Sequence, residues 1–268
     1  MITRAKEGRL NVSGVSMDYI TFGNGPKNLV MIQGLNTRGI KGAAASLAFL
    51  YRIFKKDYTV YLFDRRTELR EDITIRELAA DVATAMDALE LDRADVFGVS
   101  QGGMIAQYLA IDRPDLVEKL VLAVTLSRNN EIVRSVITRW IDLTVREDWN
   151  ALVRDMAENM YSDAYVRRYR PLMPLLALLQ KPKDRQRFLI LARSCLTCDA
   201  YAELEKVQCP VLVIGGQQDR VVGGQASVEI AEKLGCECFL YEDMGHASYE
   251  EAKDFNERVL RFLKDCVE

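Results

Sequence analysis

The sequence predicts an α/β protein with a mostly parallel central sheet and helices on both faces. Short apolar runs rich in β-branched residues alternate along the chain with segments whose apolar residues recur at helical spacing. A strand, a helix and a second strand in succession place the two strands parallel in one sheet. The chain has 268 residues, of which 49% are hydrophobic and 28% charged, as is typical of folded globular proteins. We therefore expect a large buried core.

The first half of the chain supplies most of the predicted sheet. A hairpin is expected over residues 9–22 with its turn near Ser13-Gly14, because alternating apolar and polar residues flank that pair. The elements that follow are predicted in chain order as strand 28–33, strand 58–63, helix 75–89, strand 94–99, helix 101–112 and strand 120–124. These segments form repeated strand-helix-strand units.

The pattern of strands stops near residue 126 and resumes after residue 204. The intervening sequence carries long helical patterns, and a stretch of that length is not a simple loop. We therefore expect an α/β core domain from residues 1–126 and 205–268, with residues 127–204 inserted as an α-helical lid over one edge of the sheet. The remaining core elements are predicted as strand 211–214, helix 225–234, strand 236–241 and an amphipathic helix over 250–266.

Charge and hydropathy exclude several classes of partner. The formal net charge of −3 gives no basic surplus for nucleic-acid binding. No apolar run approaches the roughly 20 residues that span a bilayer, and the first eight residues lack a signal-peptide core. We predict a cytoplasmic protein whose partner is a small-molecule substrate, without a nucleic-acid or membrane partner; the sequence leaves the oligomeric state open.

The cysteines are interpreted as structural thiols. Six of them lie in a long chain without a secretion signal, which favours reduced side chains over a disulfide framework. Cys195 and Cys198 have the C-x-x-C spacing of zinc and redox sites. The other cysteines are scattered, the chain has one histidine, and no thioredoxin-like strand precedes the pair. We therefore expect neither a metal nor another cofactor.

Ser100 lies between glycines in Gly98-Val99-Ser100-Gln101-Gly102, directly after a predicted strand and before a predicted helix. This pattern predicts a sharp strand-to-helix turn with strained backbone angles at the serine. Close packing of the strand on the helix would leave no room for side chains at positions 98 and 102. The N-terminus of the helix would direct free N–H groups towards a developing negative charge. Ser100 is therefore the candidate nucleophile.

His246 is the one histidine of the chain, and it is the candidate general base. It follows a short apolar run over 238–241 and a glycine, which places it at the carboxyl end of a strand, where catalytic groups of parallel sheets gather. A carboxylate should orient its imidazole. Asp219, at the end of the next-to-last strand, is the preferred candidate, and Asp243, three residues before the histidine, is the alternative.

The candidate residues occur along the chain in the order Ser100, Asp219 and His246. With this order, the chain resembles the lid-bearing serine hydrolases of the α/β-hydrolase superfamily over nearly its whole length. Besides Ser100, Asp219 and His246, four segments carry the resemblance, which are residues 23–34, 63–66, 113–120 and 204–215. It implies a catalytic triad of these three residues and an oxyanion hole formed by the backbone N–H groups of Leu35 and Gln101.

The chain departs from the family pattern at two places. Gln33-Gly34 stands where the family often has histidine and glycine, which keeps the backbone donor of Leu35 but changes the side chain that shapes the loop. Thr67-Glu68 replaces a glycine-rich turn. Because the nucleophile is serine rather than aspartate, the resemblance implies acyl transfer rather than dehalogenation or epoxide opening.

The function predicted from these residues is hydrolysis of a carboxylic ester or lactone of a small to medium molecule through an acyl-enzyme. Thioesterases, carbon–carbon bond hydrolases, acyltransferases, cofactor-free haloperoxidases and aminopeptidases use the same parts, and the fold does not choose among them. A hydrolase-like binding protein or receptor is the alternative outside catalysis. Five basic residues suggest an acidic substrate unless they are solvated surface charges, namely Arg38, Lys41, Arg128, Arg134 and Arg139.

Overall fold

An eight-stranded sheet forms the centre of the molecule. The computed structural model describes residues 5–172, 175 and 181–265. Its strands are β1 Lys6–Val12, β2 Val15–Gly23, β3 Lys27–Ile32, β4 Tyr58–Arg66, β5 Ala94–Val99, β6 Val117–Ala123, β7 Val211–Gly216 and β8 Glu237–Tyr241. They lie in the order β1-β2-β4-β3-β5-β6-β7-β8. Strands β3 to β8 run parallel to one another, and β2 pairs antiparallel with both β1 and β4. The mostly parallel sheet is thus confirmed.

Helices lie on both sides of this sheet. The α-helices are α1 Ala44–Leu50, α2 Ile75–Ala88, α3 Gln101–Asp112, α4 Glu131–Val145, α5 Trp149–Met160, α6 Asp163–Tyr169, α7 Arg185–Cys195, α8 Gly224–Leu234, α9 Ser248–Glu251 and α10 Phe255–Lys264. Short 3-10 helices cover Phe54–Lys56, Pro114–Leu116, Arg170–Leu172 and Tyr201–Lys206. Among the helices that the structure describes, none combines the length and the apolar character needed to cross a membrane.

The side chains of strand β5 pack against helices on both faces of the sheet. Successive side chains of a strand point to opposite faces of the sheet. Val96 packs in a cluster with the buried residues of α2 and α3, whereas Phe97 packs in a second cluster with α10. On that second face the ring of Phe97 stacks with Phe255 at 6.5 Å. Both faces are therefore buried, which is why β5 has no polar alternation.

The first strands follow the predicted hairpin. Val12 pairs with Val15, and Ser13 and Gly14 form the turn with φ of 48° and 76°. Strand β4 is longer than predicted, because Met17 of β2 still pairs with Arg66 after the apolar run has ended. The side chains of residues 64–66 are therefore fixed by the sheet.

The C-terminal region differs from the prediction of one helix over 250–266. Ala252 is extended, with φ of −79° and ψ of 119°, and separates α9 from α10. The carboxylate of Asp254, at the start of α10, accepts hydrogen bonds from Tyr241 Oη and Arg258 Nε. These contacts anchor a new helix start, and Cys266 lies outside the described residues. Helix α1 was not predicted, since none of its residues is buried.

The segment between β6 and β7 is helical, as expected. Helices α4, α5, α6 and α7 occupy it, and α4 and α7 pack against each other. Arg128 and Asp199, near its two ends, form an isolated antiparallel bridge. The segment thus leaves and rejoins the sheet region at neighbouring points. Its treatment as a separate lid over residues 127–204 stays a prediction.

Candidate active site

Ser100 occupies a strained turn between β5 and α3. Its φ is 53° and its ψ is −119°, a conformation that non-glycine residues adopt at a cost of about 1–3 kcal/mol. Four hydrogen bonds hold the turn. Ser100 N donates to Ala123 O at 2.8 Å. Ser100 O accepts from Gly103 N and Thr125 Oγ1, each at 2.8 Å, and from Met104 N at 3.1 Å. The serine is half-buried. The turn therefore holds its hydroxyl at the carboxyl edge of the sheet.

Two glycines of the turn are required by close backbone contacts. A Cβ atom at Gly98 would lie 2.5 Å from the carbonyl oxygen of Gly102. A Cβ atom at Gly102 would lie 1.9 Å from the carbonyl oxygen of Ile32. The start of α3 thus packs directly on the end of β3, and any side chain at position 102 would push them apart. This is the close packing that the sequence predicted.

Ser100, His246 and Asp219 form one line of hydrogen bonds. His246 Nε2 lies 2.9 Å from Ser100 Oγ, and His246 Nδ1 lies 2.7 Å from Asp219 Oδ2. An ionised carboxylate can only accept, so Nδ1 carries the proton and donates to Asp219. In the neutral imidazole Nε2 is then an acceptor, and the hydroxyl of Ser100 donates to it. The alternative carboxylate, Asp243, is exposed.

Asp219 is held by the backbone that follows β7. Its Oδ1 accepts hydrogen bonds from Val221 N at 2.7 Å and Val222 N at 2.9 Å, which leaves Oδ2 for the imidazole. Only 7% of Asp219 and 3% of His246 is exposed. The pair therefore lies away from bulk water, where an interaction between charges is stronger than at the surface.

The loop after β3 passes beside the serine. A Cβ atom at Gly34 would lie 3.2 Å from the Cβ of Ser100. Leu35 follows in this loop, and Gln101 is the first residue of α3. The first N–H groups of a helix have no partner within the helix. The structure thus brings the backbone of both predicted oxyanion donors to the neighbourhood of Ser100.

Arg65 is a residue of this region to which the sequence analysis gave no role. Its Nη2 donates to the carbonyl oxygen of Gln33 and, at 2.9 Å, to Oε1 of Gln101. From the other side Gln101 Nε2 donates to Leu191 O at 2.7 Å. The signals in the sequence were the position of Arg65 just after the apolar part of β4 and its place in segment 63–66, which carries part of the family resemblance.

The family model of the alpha/beta hydrolase fold matches residues 27–253. The chain belongs to this family. Among its relatives, the Rhizobium rhizogenes protein named "Putative carbamate hydrolase RutD" is 27% identical, over 84% of this chain and 90% of the relative. The "3-oxoadipate enol-lactonase 2" of Acinetobacter baylyi is 22% identical, over 95% of this chain and 96% of the relative.

Solved structures with the same fold cover nearly all of this α/β hydrolase. The enol-lactonase from Burkholderia xenovorans LB400 superposes with a TM-score of 0.83 at 21% identity, over 96% of this chain and all of the other. A thermophilic esterase from Thermogutta terrifontis gives a TM-score of 0.77 at 16% identity, over 97% and 98% of the two chains. Together with the relatives, which are named as hydrolases, the family match supports a hydrolase.

A cavity of about 300 Å³ lies beside the loop that follows β3, which contains the predicted oxyanion donor Leu35 and is called the oxyanion loop below. Val99, the residue before the serine, contributes to its floor together with residues 33–37. Most of the other lining side chains are apolar and come from α1 and α5, namely Leu47, Leu50, Val153, Met156, Ala157 and Met160. Tyr51, Tyr161, Tyr249 and Glu250 complete the described lining. The cavity therefore fits an uncharged group of moderate size.

None of the five basic residues considered from the sequence is among the described residues that line this cavity. Arg128 pairs with Glu229 at 2.7 Å, and Arg139 pairs with Asp155. Glu250 is the charged side chain of the described lining, and its Oε2 accepts a hydrogen bond of 2.6 Å from Tyr161 Oη. The cavity thus gives the acidic-substrate hypothesis no support.

Among the cysteines that the structure describes, all free thiols, Cys195 and Cys198 are buried, Cys209 and Cys236 are partly buried, and Cys238 is exposed. Burial raises the pKa of Cys195 to about 12, and it raises the pKa of Cys198 above its ordinary value. The described residues contain no cluster of His, Cys, Asp and Glu side chains suited to a metal ion. Both thiols of the C-x-x-C segment are therefore protonated at neutral pH.

Proposed function

We propose that the protein is a serine hydrolase that cleaves a carboxylic ester or lactone of a small to medium molecule. The observation that carries this proposal is the line of hydrogen bonds from Asp219 through His246 to Ser100, with distances of 2.7 and 2.9 Å. It ends on a hydroxyl held in a strained turn beside the oxyanion loop. A serine oxygen needs an aligned base to attack a carbonyl at neutral pH.

In the first step Ser100 Oγ attacks the carbonyl carbon while its proton passes to His246 Nε2. The carbonyl oxygen becomes negative and accepts hydrogen bonds from the backbone N–H groups of Leu35 and Gln101. Asp219 stabilises the imidazolium. His246 then returns the proton to the leaving oxygen, the carbon–oxygen bond breaks, and an acyl group remains on Ser100.

In the second step a water molecule gives a proton to His246 and attacks the acyl carbon. The bond to Ser100 Oγ breaks, the proton returns to the serine, and the carboxylic acid leaves. The positive end of α3 favours the charge that develops in both steps. One oxyanion donor typically contributes a factor of about 10²–10³ to kcat, so both backbone donors are essential to the rate.

The cavity suggests the kind of acyl or alcohol group. Its apolar walls and the carboxylate of Glu250 favour neutral substrates over anionic ones. Helix α5 and Tyr161 line the cavity and would act as part of the lid. The relatives named a carbamate hydrolase and an enol-lactonase support chemistry at a carbonyl group.

A fluorophosphonate probe tests the proposal directly, because an activated serine displaces fluoride from phosphorus. We expect labelling of Ser100, located by mass spectrometry, and its loss in Ser100→Ala and His246→Ala. The exposed Ser46 provides a control, since Ser46→Ala should label like the wild type. Folded wild-type protein that resists labelling would contradict the serine mechanism.

A series of substrates distinguishes an ester or lactone hydrolase from the alternative hydrolases and from a binding protein. Neutral carboxylic esters and lactones should be turned over many times, faster than thioesters, carbamates or peptides. Faster cleavage of one of those other bonds would change the assigned substrate while keeping the mechanism. A single slow turnover with retained product would favour a binding protein or receptor.

A further inference from the structure

Arg65 is a buried cation that forms no ion pair with a carboxylate in the part of the chain that the structure describes. Only 3% of the residue is exposed. Among the residues that the structure describes, no carboxylate forms an ion pair with its guanidinium, and its Nε and Nη1 atoms have no hydrogen-bond partner. The two neighbouring arginines differ, because Arg66 pairs with Asp81 and Arg187 pairs with Asp64. Arg65 is thus the exception in a region where cations are paired.

Burial of such a group works against the stability of the fold. Desolvation lowers the pKa of Arg65 to about 10, although the carboxylate of Asp64 acts in the opposite direction. The side chain is still protonated at neutral pH, so its charge is retained at a cost in free energy. Buried polar groups that lack partners call for an explanation other than stability.

The side-chain hydrogen bonds that the structure describes for Arg65 are all with parts of the proposed oxyanion hole. Its Nη2 donates to the carbonyl oxygen of Gln33 and lies 3.5 Å from that of Gly34. The Gly34 carbonyl belongs to the same peptide group as the N–H of Leu35. A positive charge beside that oxygen polarises the peptide and makes its N–H a stronger donor.

The third contact reaches the second donor. Nη2 donates to Oε1 of Gln101 at 2.9 Å, and the amide of Gln101 is fixed from the other side by Leu191 O at 2.7 Å and Ser194 Oγ at 3.2 Å. These hydrogen bonds fix the side-chain amide of Gln101, so its Oε1 stays directed at the guanidinium of Arg65. One buried cation connects the oxyanion loop to the first residue of α3.

We propose that Arg65 is a positioning residue of the oxyanion hole: its guanidinium holds the peptide between Gly34 and Leu35 against Gln101 and supplies positive charge behind the developing oxyanion. This inference rests on the proposed serine hydrolase function. According to this inference, the incompletely paired guanidinium serves to stabilise the transition state rather than the folded protein. Arg65 acts through the backbone donors and touches no substrate.

The test compares Arg65→Met and Arg65→Lys with Arg66→Met, using p-nitrophenyl butyrate and the fluorophosphonate probe. Arg66→Met is the matched control, since it removes a neighbouring guanidinium whose partner Asp81 lies outside the site. For each protein the measurements are kcat, KM, the rate constant of phosphonylation and Tm.

Arg65→Met should lower kcat about 10-fold, less than the loss of a whole oxyanion donor, with KM unchanged within about threefold. Phosphonylation should slow by a similar factor, because it also passes through a negatively charged tetrahedral arrangement. Arg65→Lys should recover part of both rates. Arg66→Met should keep the wild-type kcat while lowering Tm.

Several results would overturn the role of Arg65. They are a wild-type kcat in Arg65→Met, an equal loss of kcat in Arg66→Met, an effect on KM alone, or failure of both Arg65 variants to fold, which would make the residue structural. A wild-type protein that neither hydrolyses the ester nor reacts with the probe would instead overturn the proposed function.

Discussion

Met160, the last residue of α5, accepts a hydrogen bond of 2.7 Å from the backbone N–H of Ala247, which directly follows His246. The loop that carries the imidazole is therefore attached to the helix that lines the cavity beside Val99. Glu251 extends the attachment, since its carboxylate accepts hydrogen bonds from Ser162 N at 2.9 Å and Ser162 Oγ at 2.6 Å. Any movement of α5 away from the cavity would have to break these contacts or carry the histidine loop with it.

The two candidate carboxylates can be separated by matched substitutions. Asp219→Asn should lower kcat by a factor of about 10⁴, because the imidazole loses the acceptor that fixes its tautomer. Asp243→Asn should leave kcat within about twofold of the wild type, since that side chain is exposed. Steady-state rates on a neutral ester check both values. A large loss in Asp243→Asn alone would reverse the assignment.

Substitution by alanine should affect the activity strongly at one of the two adjacent glycines at the end of β7 and only weakly at the other. At Gly216 a new Cβ would lie 2.3 Å from the carbonyl oxygens of Met244 and Gly245, so Gly216→Ala must displace the histidine loop. We expect kcat to fall about 10-fold or more, as for other small displacements of catalytic groups. At Gly215 the nearest atom is Ser227 Oγ at 3.2 Å, and Gly215→Ala should keep most of the activity. Equal activities of the two variants would contradict this account.

The backbone strain at Ser100 can be measured separately from the role of its hydroxyl group. Both Ser100→Ala and Ser100→Gly remove the hydroxyl, but only glycine adopts φ of 53° with ψ of −119° easily. The glycine variant should be more stable than the alanine variant by about 1 kcal/mol in the free energy of unfolding. Denaturant titration with equal m-values provides the comparison. A more stable alanine variant would show that the turn holds little strain.

Glu250 should determine the charge preference of the cavity. The wild type should cleave a neutral butyrate ester faster than the matching hemisuccinate ester, whose carboxylate would approach Glu250. Glu250→Gln should raise kcat/KM for the anionic ester about three- to tenfold, because a like-charge repulsion is removed. Glu242→Gln, at an exposed position outside the described cavity lining, is the control. No change in the ratio of the two rates would remove Glu250 from substrate selection.

The thiols should differ in reactivity according to burial. Cys238 is exposed, whereas Cys195 and Cys198 are buried and keep their protons at neutral pH. Because the thiolate is the reactive form, iodoacetamide should modify Cys238 first and reach the other two after unfolding. Peptide mapping at short reaction times gives the order. Rapid modification of Cys195 in the folded protein would contradict the interpretation of a structural thiol.

The proximity of Ser100, Asp219 and His246 was predictable from the sequence because each of them follows the end of a strand. Ile32 pairs in register with Phe63 on one side and with Gly98 on the other. Residues that follow these strands therefore meet at one edge, as a parallel sheet requires. The positions of the apolar runs along the chain predict where the strands end, and therefore which residues meet at that edge.

The role of Arg65 and the cavity were not predictable in the same way. Arg65 looks like any charged residue after an apolar run, and only the three-dimensional packing of β4 beside the oxyanion loop shows that its guanidinium is buried. The cavity lining depends on α1, a short helix without buried residues, which leaves no apolar periodicity to detect. The break at Ala252 depends on contacts of Asp254 with Tyr241 and Arg258, which are likewise tertiary.

The bridge between Arg128 and Asp199 has a consequence for how such enzymes diversify. Since the helical segment starts and finishes at adjacent points, its length and composition can vary while the strands on either side keep their register. A transplanted segment with the same spacing between its ends would replace the part of the cavity wall that α5 supplies. It would keep the histidine loop in place only if it preserved the hydrogen bonds of Met160 and Ser162 to that region. If the proposed function holds, exchange of this segment between relatives should change the substrate preference while the sheet stays the same.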